Sequence, residues 1–407
     1  MEIFCGIDWA EAHHDIALVD EAGQLLAKKR ISDDIAGFSD LVAVLAEHTD
    51  GDLEQIAAIE VAIEIDRGLL VAALLAAGNR VYAINPKAVD RYRDRHAVSG
   101  AKSDPGDALV LAQILRTDRD AHRPIPASTE NAAAVKVLAR AHADAVQART
   151  QDSNRLRSLL REFYPAALQA FPDLSTKTAL AVLEAAPTPA AAAALSRANL
   201  TDLLHAAGRG TRPGEAARLA ETFAAPQLRQ PAAIETAMGQ AVLAIVRTLS
   251  AAAAALRELE KALAASFEHH PDAEILGSFP GLGLVLGARV LAEIGDDRSR
   301  FTDAASLRNY AGTSPITRAS GKSRVVLARH IRNRRLADAC YLWAFSALTK
   351  SDGVKTLYDT RRAAGDHHAA ALRRVANKLL SQLHHCLTDR VLYNEHQAWP
   401  TTEPLAA

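Results

Sequence analysis

The sequence predicts a molecule in two parts, an α/β domain at the N-terminus and an essentially helical remainder. Three observations carry this. Short apolar and β-branched runs with strand spacing are confined to the stretch that ends at Ile84, whereas long runs with helical periodicity fill most of the chain beyond it. The charge divides in the same place: Met1 to Ser128 holds 22 acids against 13 bases and the rest 26 acids against 34 bases, within a chain whose net charge is -1. An acidic part beside a basic part suits a metal site in the first and a polyanion-binding surface in the second.

Taken in order, Ile3 to Asp8, His14 to Val19 and Leu25 to Ile31 read as an antiparallel meander turning at Gly23. Ile35 to His48 is helical, Ile56 to Glu64 strand-like, Leu69 to Ala77 helical, and Arg80 to Ile84 strand-like before Asn85-Pro86. Three strands and then alternating helix and strand is the order of a ribonuclease-H-like α/β domain, expected here over residues 1–128. Asp8 and Glu64 each stand where an apolar strand stops, and strand ends are where such sheets present catalytic groups. Glu60 competes with Glu64, because residues four apart on a strand face the same side. A strand ending in an acid also opens actin-like ATPases and sugar kinases, but those need a phosphate-gripping Gly-Thr turn, and Trp9-Ala10-Glu11 comes directly after Asp8.

The stretch GAKSDPGDALVLAQIL, Gly100 to Leu115, supplies two further acids. Asp104 and Asp107 are three apart at the start of a helical pattern, so they share a face, with Pro105 suited to the first turn. Alone, this is more often a capped surface helix. With Asp8 and Glu64 it makes four carboxylates able to gather as hard oxygen ligands for Mg²⁺ or Mn²⁺. Upstream, Lys87, Arg91, Arg93, Arg95 and Lys102 face only Asp90 and Asp94, with Tyr92 among them, a candidate phosphate track or a solvated helix face.

A connector is expected over 129–270. Ala132 to Tyr164 is one long helical pattern, and Val242, Leu249, Leu256 and Leu263 repeat every seven residues as a coiled-coil seam, the two helices pairing antiparallel or meeting a second subunit. Pro165 to Pro231 is broken by seven prolines into short Ala-rich helices without assignable chemistry. An all-α C-terminal domain is expected over 271–395 and a frayed tail over 396–407. Ser278 to Gly295 resembles a helix-hairpin-helix element, whose Gly-rich turn brings backbone N–H groups to a phosphate. From Ala304 to Ala337 there are Arg308, Arg318, Lys322, Arg324, Arg329, Arg332, Arg334 and Arg335 and no acid, a surface that wants a polyanion. Ser320, beside Gly321 in this basic loop, could set a hydroxyl against a phosphodiester, although a Ser-Gly pair is more often a plain turn; Ser314 and Ser323 are the neighbouring alternatives. Gly321-Lys322-Ser323 ends like a P-loop, but Ile316 occupies the place of the required earlier glycine.

Cys5, Cys340 and Cys386 are far apart and form no CxxC pair, which excludes a disulfide framework and a zinc site and suits a reducing cytoplasm. No basic leader precedes the first strand, and the Ala-rich runs look too short or too charged to span a bilayer, so no membrane partner is expected.

Together, GIDWA at Asp8, VAIE through Glu64, NPKAVDRYRDRHAVSGAKSDPGDA through Asp104 and Asp107, FPGLG at Phe279 and YAGTSPITRASGK through Ser320 resemble, in order, the DEDD insertion-sequence transposases, the family numbered one-ten that includes the pilin-gene invertases. The resemblance implies a RuvC-like domain with Asp8, Glu64, Asp104 and Asp107 as Mg²⁺ ligands, a coiled-coil connector, and a C-terminal domain with Ser320 as nucleophile. It also implies a bridge RNA that pairs with donor and target DNA, a homo-oligomer (a dimer or dimer of dimers) with the acids of one subunit meeting the serine of another, and work at the bacterial nucleoid. The segment Pro165 to Pro231 does not match the family pattern. The expected function is a DNA recombinase acting through a phosphoserine link; the alternatives are a RuvC-like junction endonuclease hydrolysing with water and a nucleic-acid-binding factor on a dead catalytic fold.

Overall fold

A computed structural model describes residues 2–96, 104–126, 128–208, 213–321 and 323–399. The chain divides into two compact units, 1–127 and 128–407. The first is built on a five-stranded sheet with strand order β3-β2-β1-β4-β5. Strands β1 (Ile3–Trp9), β2 (His13–Asp20) and β3 (Leu25–Ser32) form the antiparallel meander, while β4 (Glu60–Ile63) and β5 (Val81–Ala83) join β1 in parallel. Helices α1 (Ile35–Glu47), α2 (Leu53–Ala58), α3 (Leu69–Ala76), α4 (Pro86–His96) and α5 (Asp104–Asp118) complete the unit. Strand alternation sorts the residues of β1 onto two faces: Ile3, Cys5 and Ile7 enter one core with Leu41, Val71 and Leu74, and Phe4 enters a second with Ala62, Leu111 and Ala112. Gly6 lies between these, and a Cβ there would meet the Ala108 carbonyl at 2.0 Å, so α5 lies directly on β1 because that position has no side chain.

The strand expected from Ile56 onward is shorter than its apolar run. Ile56 to Ala58 belong to α2, whose N-cap Asp52 accepts hydrogen bonds from the Glu54 and Gln55 amides, and the strand begins only at Glu60.

The second unit begins with α6 (Glu130–Phe163) and continues through the short helices α7 (Pro165–Ala170), α8 (Lys177–Ala185), α9 (Pro189–Ala193), α10 (Arg197–Ala206) and α11 (Glu215–Ala224) to α12 (Ala232–Glu268). Leu156 and Leu160 of α6 share a core with Val242, Ile245 and Leu249 of α12, and Val135 and Ala139 share another with Leu263 and Phe267. Early residues of one helix thus meet late residues of the other, so they pair antiparallel within the chain. The segment between them packs into the first of these cores through Phe171, Leu183, Leu204, Leu219 and Phe223. By length and composition α12 suffices to cross a membrane, with a mean hydropathy of 1.5 over its most apolar window, which corrects the expectation that no Ala-rich run is long and apolar enough. Its heptad stripe is nevertheless buried against protein.

The chain then forms α13 (Ala273–Gly277), α14 (Leu284–Ile294), α15 (Ala304–Ala311), a hairpin of β6 (Ile316–Ser320) and β7 (Ser323–Leu327), α16 (Arg334–Ala347), α17 (Asp352–Ala363), α18 (His368–Asp389) and α19 (Glu395–Ala398). The hairpin corrects the expectation that this part is all-α. The turn between α13 and α14 is spent on packing: Gly281, at φ +74°, leaves room for the Ala347 backbone, and Trp343 Nε1 donates to the Pro280 carbonyl at 3.0 Å. Nor does the chain fray at Trp399, whose ring fills the space above Gly353 and whose Nε1 donates to Tyr393 Oη at 2.8 Å.

Candidate active site

In the first unit Ile7 pairs with Ile63 as the last rung of the parallel β1–β4 ladder, and Asp8 and Glu64 are the next residue along each chain. Both are half-buried, and alternation puts both on the face of Phe4, Ala62 and α5. Asp107 reaches that face from α5, one residue before the Ala108 carbonyl that lies over Gly6, and is only 5% exposed. Asp104 opens the same helix; its side chain, with Lys102 and Lys322, lies outside the described residues.

Glu60 is on the same face but at the other end of β4, and its carboxylate is taken. Tyr82 Oη donates to it at 2.9 Å, Arg80 at 3.1 Å and Arg119 at 3.2 Å. Burial first, then the Glu60 carboxylate, pushes the Tyr82 hydroxyl up to about 12.

Sequence reasoning missed two neighbours of the acids. Asp15 lies directly opposite Asp8 on β2, 5% exposed, with Arg30 donating to both its oxygens at 3.1 and 2.7 Å. Arg93, expected on the phosphate track, turns inward instead: its guanidinium bonds the Asp107 carboxylate and also donates to Asp90 Oδ1 at 3.2 Å. Lys87, Arg91 and Arg95 remain exposed on α4, with the Arg95 guanidinium 5.9 Å from the Tyr92 ring centre. A hard divalent cation suits oxygen donors of this kind, and Asp8, Glu64, Asp104 and Asp107 are the residues that would hold one. Among the described residues, however, no three acidic, His or Cys groups stand together as a ready metal cluster.

In the second unit Ser320 ends β6, paired with Ser323 across a tight turn at Gly321, φ +55°. Both serines are exposed, whereas Ser314 is half-buried and accepts from Asn377 Nδ2 at 3.3 Å. Arg318, two residues back, shares the face of Ser320; Arg324, opposite Ala319, is on the other. The base of the hairpin is fixed. Arg329 donates to Asn309 Oδ1 at 3.1 Å, Arg332 packs over Gly312, and Asn333 Nδ2 donates to Tyr310 Oη at 2.7 Å and to Glu293 at 2.8 Å. Glu293 is 3% exposed and held by both arms of Arg140, at 2.8 and 2.9 Å. Burial works to raise its carboxyl, and the Arg140 and Asn333 hydrogen bonds outweigh that and hold it below the usual range. Of the basic run, Arg335 is committed to Asp144 at 2.8 and 3.0 Å, while Arg318, Arg324 and Arg334 stand exposed.

Comparison with known proteins agrees with both halves. Residues 5–165 match the DEDD transposase model of the IS110 type, and residues 273–359 match the transposase family IS116/IS110/IS902. The chain is 54% identical over 405 residues to the mini-circle putative transposase for IS117 of Streptomyces coelicolor, covering 98% of this chain and 97% of that protein. It is 30% identical over 422 residues to the IS110 43.6 kDa protein of the same organism, and 29% identical over 415 residues to the IS900 42 kDa protein of Mycobacterium paratuberculosis, each spanning the whole of this chain and nearly all of the relative. Among solved structures, T. thermophilus RuvC in complex with a Holliday junction substrate aligns with 30% of this chain and 99% of its own, at 17% identity and a TM-score of 0.21.

Proposed function

The chain belongs to the IS110 family of insertion-sequence transposases, enzymes that act on DNA, and from that premise we propose that it cuts and rejoins DNA strands through a covalent phosphoserine on Ser320. The observation that carries this reading is the exposed Ser320 hydroxyl at the tip of a hairpin with a fixed base, on the same face as Arg318. In cleavage, Ser320 Oγ forms a bond to the phosphorus while the bond to the leaving deoxyribose oxygen breaks. The serine proton goes to a base and the leaving oxygen gains a proton. Arg318 offsets the charge that develops on the phosphate. In rejoining, an incoming DNA hydroxyl attacks the phosphoserine and returns Ser320 to its alcohol. One phosphoester is kept throughout, so no nucleotide triphosphate is consumed.

The serine's own loop, Ala311 to Arg324, holds no His or carboxylate, so the base comes from elsewhere, and the acidic face of the N-terminal unit is the source. The strand order and the Asp8–Glu64 register support reading that unit as RNase H-like, of the RuvC kind. Asp8, Glu64, Asp104 and Asp107 are the residues that would hold Mg²⁺ or Mn²⁺ there, and the cation would supply neutralisation of the charge developing at the reacting phosphate. Two or more copies assemble so that the acids of one meet the serine of another. A structured guide RNA pairs with donor and target DNA, and Lys87, Arg91, Arg95, Arg318, Arg324 and Arg334 contact nucleic-acid phosphates.

The test is denaturing electrophoresis of the reaction with end-labelled DNA. Wild-type protein is expected to retain label covalently at Ser320, and Ser320→Ala neither to retain label nor to cut. Cutting by Ser320→Ala at the wild-type rate with no label retained would establish hydrolysis by water in place of the serine pathway.

A further inference from the structure

Arg93 is suspended between two carboxylates of different character. Asp107 is 7% exposed at its side chain and Asp90, three residues back on the same helix as Arg93, is 64% exposed; Arg93 itself is 15% exposed. Asp107 cannot shift with its helix, because the Ala108 carbonyl and the Ala112 amide already fill the space above Gly6. The long arginine side chain is the part free to swing. A carboxylate this buried needs a positive partner, and a guanidinium and a divalent cation at one carboxylate repel each other.

We propose that Arg93 is a built-in counter-ion that competes with the divalent cation for Asp107. This rests on the reading of Asp8, Glu64, Asp104 and Asp107 as ligands of one cation. Without the cation, Arg93 neutralises Asp107. When the cation enters, the guanidinium passes wholly to Asp90, which it already touches at 3.2 Å and which is 64% exposed.

The experiment measures Mn²⁺ binding to the full chain, without nucleic acid, by the paramagnetic resonance signal of free Mn²⁺, together with the melting temperature with and without Mn²⁺. Arg93→Met is expected to bind Mn²⁺ about tenfold more tightly, the lower end of what an adjacent opposite charge does to an aspartate. It should also melt lower than wild type in the absence of metal. Asp90→Asn, an exposed change outside the ligand set, is expected to bind Mn²⁺ more weakly, because the displaced guanidinium loses its second acceptor. Equal or weaker binding by Arg93→Met overturns the proposal and makes Arg93 a residue that orients Asp107 for the metal. If Arg93→Met does not fold, Asp90→Asn decides, and unchanged affinity there overturns it. Absence of Mn²⁺ binding by the wild type, or binding unaffected by Asp8→Asn, defeats the underlying metal reading and the proposal with it; wild-type binding that Asp8→Asn abolishes and Arg93→Met leaves unchanged defeats the proposal alone.

Discussion

The carbonyl oxygen of Ala108 lies 2.0 Å from the point where a Cβ on Gly6 would sit, and the Ala112 nitrogen 2.4 Å from it. This backbone-to-strand contact holds α5, and with it Asp107, over β1 two residues before Asp8. Gly6→Ala therefore forces helix and strand apart with no flexible side chain to give way. Overpacking costs about 1–3 kcal/mol in ordinary cores, and the upper end applies where backbone is struck. A lower melting temperature together with lost Mn²⁺ affinity is expected from calorimetry and metal titration.

Asp15 faces Asp8 across the β1–β2 ladder, and like charges directly opposite are destabilising. Arg30 offsets this from the edge strand. Arg30→Met leaves Asp15 buried without those two hydrogen bonds, at a cost of roughly 2 kcal/mol, discounted because the arginine is half in solvent. Adding Asp15→Asn to Arg30→Met should restore most of the loss. Urea midpoints of the two single variants and the double variant check this.

The Glu293 carboxyl is held below its ordinary value of 4.5 in the folded state. A depressed folded pKa adds stability that is full above the unfolded value and lost as pH falls through the folded one. The melting-temperature gap between wild type and Glu293→Gln is therefore expected to be constant from pH 7 to about 5 and to close as the pH falls further below 4.5. A gap that does not narrow at all as the pH falls below 4.5 would show that the carboxylate charge is not what Arg140 requires.

Exposed and committed arginines should behave differently toward DNA. Replacing Arg318 and Arg324 by Gln should flatten the slope of log K against log salt by about 2, since each phosphate contact contributes about 0.9. Arg335→Gln, which breaks the pair with Asp144, should leave the slope nearly unchanged. Filter binding between 50 and 200 mM salt, about the range over which such slopes are measured, separates the two outcomes.

The places of Asp8 and Glu64 near strand ends are legible because an apolar run stops at each, although β1 runs on to Trp9. Asp15 is not legible, because its place opposite Asp8 depends on the register of the β1–β2 ladder. Arg93 is partly legible: at about 100° per residue it lies about 200° round the helix from Arg91 and Arg95, so a helical projection sets it on the inner side. The turn of helix at Ile56 is hidden because a buried helical residue and a strand residue carry the same apolar signal. The β6–β7 hairpin is hidden for the opposite reason. Nearly all its residues are exposed, so no face-by-face alternation marks it, although Thr317, Val325 and Val326 around Gly321 are residues that favour strands about a turn.

The last prediction concerns how the acids and the serine are shared. Asp8 lies in the unit 1–127 and Ser320 in the unit 128–407. Asp8→Asn protein keeps the serine and loses a proposed metal ligand; Ser320→Ala protein keeps the ligands and loses the nucleophile. Each alone is expected to cut nothing. If the acids of one copy serve the serine of another, mixed assemblies contain some sites with both parts intact, so mixing should restore part of the cleavage. The trapped DNA should then sit on the Asp8→Asn chain, which alone carries Ser320, and a size tag on one chain reads this directly. A mixture that forms mixed oligomers yet stays inactive places each complete site within one chain. DNA trapped on the Ser320→Ala chain would instead move the nucleophile to another serine; Ser323, exposed across the turn, would be tested before Ser314, which is half-buried and bonded to Asn377.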